Sequence, residues 1–292
     1  MADARRENAK VLYVVGTPIG NLEDISLRAL RVLKEVDLIA CEDTRQTRKL
    51  LEHYGIATRT SSYHEHNEAG RAAELVRRLE AGERIALVSD AGMPGVSDPG
   101  YRIIKLAVER AIAVVPIPGP AAFLAALAAS GLPTDAFQFR GFLPPKAGQR
   151  KQVLAHLVQT AETQIFYEAP HRLLETLRDI VEILGPERPV VVARELTKIH
   201  EEFVRGTAAQ ALRHMQSREG GVRGEVTLLI GKPVAKAPEV QMRDIGAQLE
   251  ALRRNSNVDE KTGLKLLAKE LGISKSEAYR RLQQSRKRKS NP

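Results

Sequence analysis

VLYVVGTPIGN, residues 11–21, decides the architecture. Its five apolar residues end at Gly16. A continuous apolar run closed by a glycine turn reads as a strand buried on both faces, which places it in a parallel sheet. The turn itself, GTPIGN (16–21), lets the backbone come close to a ligand. No Gly-Lys-Ser/Thr follows, so it is not a Walker loop, and its spacing is not GxGxxG.

Working outward, Leu27, Leu30 and Leu33 give residues 26–36 helical spacing, and DLIACE (37–42) is a second apolar run. Helices are predicted over 47–54 and 71–81, stopped by Gly55 and Gly82. RIALVSD (84–90) is the next strand, 101–110 a helix and AIAVVPIP (111–118) another strand. This alternation predicts an α/β layer with a parallel sheet. PIPGP (116–120) marks a boundary. After it come the helix AAFLAALAAS ending at Gly131, the strand FQFRGF, a Pro-Pro turn, a helix over 149–161 and the strand TQIFYEA. A helix over 172–184 and the strands PVVVARE (189–195) and EVTLLIG (225–231) complete this half, which has fewer clean strand-helix-strand units. The organisation expected is an α/β domain over 1–117, a second over 118–235 and a helical module over 240–292, joined by KPVAKAPEV (232–240).

Charge sets that module apart. The chain has 45 Lys+Arg and 36 Asp+Glu, net +9. Residues 240–292 hold 13 of the basic and 6 of the acidic residues, leaving 32 against 30 elsewhere. A localised basic module suits attraction to a phosphate backbone. Ile245, Leu249 and Leu252 share a helical face. LKLLAKEL, a turn opening at Gly272 and a second helix then resemble a helix-turn-helix, with Ser274 and Glu277 as a capping box. The single cysteine, Cys41, excludes a disulfide framework. No apolar run reaches the ~18 residues of a membrane span, and MADARRENAK has no apolar signal stretch, so a soluble cytoplasmic protein is expected.

Chemistry-bearing residues gather at strand ends. SDAGMPGVSDPG (89–100) packs glycines and prolines into a loop where open α/β sheets bind ligands, with Asp90 and Asp98 as acceptors. PGPAAF (118–123) opens a helix with free N–H groups. CEDTRQTRKLL (41–51) carries Glu42, Asp43 and Arg45. RELTKIHEE (194–202) carries Arg194, Glu195, Lys198, His200, Glu201 and Glu202. His64 and His66 are two apart with no third metal ligand visible, and no metal is expected. Tyr167, beside Glu168, His171 and Arg172, is an aromatic that suits RNA stacking.

Taken together, VVGTPIGNLEDIS, IACEDTRQTRKLL, SYHEHNE, ALVSDAGMPGVSDPG, PIPGPAAFLAALAASGLPTDAFQFRGFLPPK, FYEAPHRL and ARELTKIHEE resemble, in order and spacing, the bacterial RsmI-type 16S rRNA ribose 2′-O-methyltransferases of the tetrapyrrole-methylase superfamily. The resemblance covers 11–232 and extends to the helical module. It implies two α/β domains with S-adenosylmethionine in the cleft between them, a homodimer, and 2′-O-methylation of a decoding-centre cytidine of 16S rRNA in the small ribosomal subunit. It makes Thr17, Pro18 and Gly20, the loop residues Asp90, Ala91, Gly92, Met93 and Val96, the bend at Pro120 and Ala121, and Thr227 the expected cofactor contacts. Many relatives have PGPSA where this chain has PGPAA (118–122), so only the backbone is expected to contribute at Ala121.

Such a transfer needs collinear oxygen, carbon and sulfur, and positioning of that kind supplies roughly 7–11 kcal/mol. A ribose hydroxyl also needs a base. Glu42, Asp43, Glu195 and His200 are the candidates from the strand-end clusters, with Lys198 if desolvation lowers its pKa. Arg45, Arg172 and Arg194 are candidate phosphate clamps. The alternatives are a small-molecule methyltransferase acting on a tetrapyrrole and a non-catalytic RNA-binding protein.

Overall fold

The computed structural model describes residues 10–234, 245–256, 258–270 and 273–289 of the 292. The chain divides into two compact units, Met1–Val234 and Ala235–Pro292.

The first unit contains two five-stranded sheets. One is built from β1 (Val11–Val15), β2 (Leu38–Cys41), β3 (Thr60–Ser62), β4 (Arg84–Val88) and β5 (Ala113–Ile117), in the order β3-β2-β4-β1-β5. Every neighbour pair is parallel. Because alternate side chains leave opposite faces of a strand, the apolar runs feed two cores. Tyr13, Val15, Ile39 and Ala86 meet α1 (Leu27–Glu35) and α2 (Thr44–His53). Leu12, Leu38, Ile85 and Leu87 meet α3 (Glu68–Glu80) and α4 (Tyr101–Glu109). A sheet covered on both faces explains why its strands show no polar alternation. Pro116 is tolerated because β5 is an edge strand. Helix α2 starts three residues earlier than its spacing predicts. The Asp43 carboxylate accepts from the Arg45 N–H at 2.8 Å and caps it.

The second sheet contains β6 (Phe137–Phe142), β7 (Thr163–Glu168), β8 (Pro189–Arg194), β9 (Glu202–Thr207) and β10 (Val226–Ile230), ordered β6-β7-β10-β8-β9. Only β6 and β7 run parallel. Helices α6 (Ala147–Ala155), α7 (Leu173–Leu184) and α8 (Ala208–Gln216) pack on one face through Leu154, Leu177 and Ala211. Helix α5 (Ala122–Ser130) packs on the other through Ala126 and Leu127, and Ile19 from the loop after β1 joins this core. Strand β9 and helix α8 have no counterpart in the sequence reading. EFVRGT is half-buried, without an apolar period, and the capping box of Thr207 and Gln210 is what starts α8.

The second unit packs α9 (Ile245–Ser256), α10 (Glu260–Glu270) and α11 (Lys275–Lys289) around Ile245, Leu249, Leu267 and Leu282. The Ser274 hydroxyl accepts from the Glu277 N–H at 3.2 Å and opens α11. Most of the expected linker (235–240 of it) and the turn at Gly272 lie outside the described residues. Among the described residues, no helix is long and apolar enough to cross a membrane.

Candidate active site

Three loops leave the carboxyl ends of β1, β4 and β5 and are brought together by missing side chains. Gly16 and Gly119 touch: a Cβ on Gly16 would lie 2.7 Å from Gly119 Cα and 2.7 Å from the Met93 sulfur. Thr17 and Gly92 exchange backbone hydrogen bonds, Thr17 N–H to Gly92 O at 2.9 Å and the reverse at 3.1 Å. Gly92 sits at φ +86°, where a side chain is strained. The Thr17 hydroxyl donates to Ser89 O at 3.0 Å and ties the first loop to the second. The result is a rigid main-chain floor.

Over this floor lies a cavity of about 320 Å³, at the small end of ligand sites. The first sheet contributes Ile19, Ala91, Gly92, Met93, Val96 and Asp98. The second contributes an aromatic wall. Tyr167 lies edge-on to Phe139 and Phe142, with ring centroids 4.9 and 5.6 Å apart, and Phe123 stacks on Phe139 at 4.5 Å. Thr227 stands opposite Tyr167 in the β7–β10 ladder and is buried at the same wall. Glu168 is buried there too, but its carboxylate is fully engaged. It accepts from the Ala169 N–H at 2.8 Å and the Thr176 hydroxyl at 2.6 Å, and pairs with Arg172 at 2.6 Å. Asp98 is the carboxylate that burial, with Glu42 nearby, pushes up to about 6.

Of the expected cofactor contacts, Ala91, Gly92, Met93, Val96, Ala121 and Thr227 line this cavity. Thr17 and Pro120 support it from behind: Thr17 bonds to Gly92, and Pro120 O lies 3.5 Å from where a Gly92 Cβ would be. Pro18, Gly20 and Asp90 are not among its lining residues. Gly20 instead abuts the loop after β8, where a Cβ would come within 2.5 Å of Lys198 Cγ. Asp90 accepts from the Asp43 N–H at 3.0 Å.

The five candidate bases fall into two groups. Glu42 and Asp43 follow β2. Burial first, then Asp90, raises the Glu42 pKa, while the Arg45 N–H lowers that of Asp43. Glu195, Lys198 and His200 line a second cavity of about 680 Å³ with Gly20 and His53. Glu195 and His200 also border a third, of about 400 Å³, with Arg194, Arg218 and Arg223. Burial pulls the Lys198 ammonium down, but Glu195 at 2.9 Å and Glu225 at 3.2 Å outweigh it and hold its pKa above the ordinary range. Lys198 is therefore a cation at neutral pH, not a proton acceptor. The Glu225 N–H and Lys198 lower Glu195. Arg172 and Arg194 are committed to Glu168 and Glu202, whereas the Arg45 side chain is 88% exposed.

Sequence reasoning named Tyr167 and placed Asp98 as an acceptor in the ligand loop, but missed the aromatic wall that Phe123 and Phe142 complete. Phe123, Phe142 and Tyr167 are far apart in the chain and converge only through sheet order. Asp98 stood in the right loop, but its burial has no local sequence signature.

A glycine-built floor at the carboxyl edge of a parallel sheet, closed by a mixed sheet, defines a class. Residues 11–212 match the family model of the tetrapyrrole (corrin/porphyrin) methylases, and the chain belongs to that family. Its fold is similar to that of a diphthine synthase (TM-score 0.60, 14% identity, covering 76% of this chain and 90% of that one). It is also similar to uroporphyrin-III-C-methyltransferase from Thermus thermophilus (TM-score 0.54, 20% identity, 77% and 96%). Within the family the chain groups with proteins named ribosomal RNA small subunit methyltransferase I. It is 54% identical to that of Halalkalibacterium halodurans, over 77% of each chain. It is 46% identical to that of Vibrio cholerae, over 92% of this chain and 88% of the relative.

Proposed function

We propose that the chain transfers a methyl group from S-adenosylmethionine to RNA of the small ribosomal subunit, at the 2′-oxygen of a decoding-centre cytidine. The carrying observation is the cavity between the two sheets, in a chain so close to relatives named for methylating that RNA. Its parts suit the donor. Tyr167 and Phe123 offer faces for a flat purine, and the main chain of Ala91–Met93 and Ala121 offers hydrogen-bonding groups. Ala121 carries no hydroxyl, so backbone groups do this work at the bend. When bound, the donor supplies an already activated methyl group on a sulfonium sulfur.

The protein must then orient the ribose and hold the proton released from its hydroxyl. Among the carboxylates, Asp98 is the one that both lines the cavity and titrates close to neutrality, the range a proton acceptor needs. Glu42 supports that value by its charge. Glu195, Lys198 and His200 border the neighbouring cavities and serve the RNA rather than the donor.

Helix α11 holds seven Lys or Arg and one Glu, which suits grip on a phosphate backbone. A homodimer is part of the same reading. Helix α5 is apolar on all sides, and Leu124 is 52% exposed on it. The test is incubation of unmodified small subunits with the protein and labelled S-adenosylmethionine, followed by mass mapping of the modified nucleotide. Transfer to one ribose is expected. Transfer to a porphyrinoid instead, or no transfer with the donor bound, overturns the reading.

A further inference from the structure

Ile199 is 97% exposed at the tip of the loop joining β8 to β9. A lone exposed isoleucine is ordinary; the way this one is held is not. Glu195 and Thr197 both adopt left-handed backbone, at φ 52° and 63°, and Thr is β-branched. Such residues are costly and persist only where the surroundings over-determine them. Here they do. The Thr197 N–H donates to the Glu201 carboxylate at 2.7 Å, the Lys198 N–H to Glu195 O at 3.0 Å, and the Glu201 N–H to Lys198 O at 3.1 Å. The Lys198 ammonium clamps Glu195 and Glu225. Gly20, with no side chain, lets the loop seat against the turn after β1. A fixed pedestal thus presents one apolar side chain to water, between Lys198 and His200.

The same loop borders all three cavities: Leu196 lines the first, Glu195 and His200 the arginine-lined one, and Lys198 and Ile199 the largest. We propose that Ile199 is a wedge that packs against the RNA base beside the target nucleotide. There it fills the space the target base vacates and holds the splayed ribose toward the 320 Å³ cavity. This rests on the RNA reading above. The 2′-hydroxyl is carried on the backbone, but seating it at a recessed cavity bends the strand away from its neighbours, and taking a nucleotide out of its stack costs free energy. An apolar side chain inserted at the step offsets that cost. The adjoining cavity, which Glu195 and His200 border together with Arg194, Arg218 and Arg223, favours a polyanion as partner, and a single isoleucine is too small for a protein interface.

The experiment compares wild type with Ile199→Ala and Ile199→Leu on unmodified small subunits. Being a surface change, neither disturbs folding. The alanine variant is expected to lower kcat/KM about tenfold or more, with leucine restoring it to within about threefold. Affinity for S-adenosylmethionine by calorimetry and mass by light scattering stay unchanged. A 2-aminopurine placed beside the target nucleotide should brighten with wild type and not with the alanine variant. Turnover within twofold of wild type, or equal brightening, overturns the wedge. So does a change in mass, which makes Ile199 a contact between copies, or in cofactor affinity. An inactive wild type defeats the preceding reading and this one together. An active wild type matched by the alanine variant defeats this one alone.

Discussion

Two loops face the same cleft and solve opposite problems. Residues 89–100, after β4, turn at Gly92, Gly95 and Gly100, all at positive φ, and bring Ala91, Gly92, Met93, Val96 and Asp98 to the cavity. Residues 195–201, after β8, turn at Glu195 and Thr197, which are strained there, and are held by ion pairs and carboxylate caps. The first loop owes its turns mainly to glycine, with Ser97 alone among its non-glycine residues in left-handed backbone, at φ 63°. The second stores strain to aim side chains outward, which suits a large, charged partner. On the proposed function, the first loop serves the donor and the second the RNA.

The floor under the first loop is where a change should cost most. In Gly16→Ala the new Cβ would meet Gly119 Cα at 2.7 Å, and backbone cannot swing aside as a side chain can. A loss of about 3 kcal/mol in unfolding free energy is expected, together with at least a tenfold weaker S-adenosylmethionine affinity by calorimetry. If the variant binds normally, the contact between Gly16 and Gly119 is not what shapes the cavity.

Asp98 tests the same loop through pH. Its folded pKa, about 6, lies above the ordinary 3.8. Its penalty is therefore absent below about pH 4, grows as pH rises toward 6, and is constant above. Asp98→Asn should be more stable than wild type by about 1–2 kcal/mol above pH 6 and equal to it in acid. It should also abolish methyl transfer. Retained turnover would remove Asp98 as proton acceptor and leave Glu42, whose pKa is also raised.

The second loop should respond in the opposite direction. Thr197→Gly relieves a left-handed β-branched residue and removes a buried hydroxyl that has no hydrogen-bond partner. A gain of about 1 kcal/mol is expected by thermal melting. A loss would mean that the threonine side chain, packed against Gly20, contributes more than the strain costs.

The halves of the molecule also differed in how openly the sequence disclosed them. Strands β1, β2 and β4 were legible because a sheet covered on both faces demands unbroken apolar runs. Strand β3 was not: Thr60, Ser61 and Ser62 form an edge strand, half-buried, with no apolar signature. Strand β9 was hidden for the same reason, and its Glu202, one of the strand-end residues after β8, pairs with Arg194, Arg218 and His214. At the site, the glycine loops announce themselves locally, and of the eleven cofactor contacts that the family resemblance implies, six (Ala91, Gly92, Met93, Val96, Ala121 and Thr227) line the cavity. Gly20 shows the limit: it is small to admit the Lys198 loop, not a ligand. Tyr167 drew attention as an aromatic, but its place opposite Thr227 depends on the antiparallel pairing of β7 with β10, which no local pattern encodes.

The smallest effect belongs to Glu195→Gln, and it discriminates between charge and hydrogen bonding as the brace of the strained loop. Glutamine can still accept the Glu225 N–H, which lies 2.9 Å from the carboxylate, but it no longer attracts Lys198. Both ionic side chains are partly exposed, so the pair is worth less than about 1 kcal/mol. The Glu195 pKa is lowered, chiefly by that N–H and by Lys198. Its ionic stabilisation is therefore present above the ordinary value of 4.5 and is lost as pH falls through the folded pKa. Wild type and variant should differ slightly at neutral pH and converge in acid and in high salt. Convergence locates the brace in the charges. A gap that persists in acid places it in the neutral hydrogen bonds, and Lys198 is then free to swing toward a phosphate without loosening the loop.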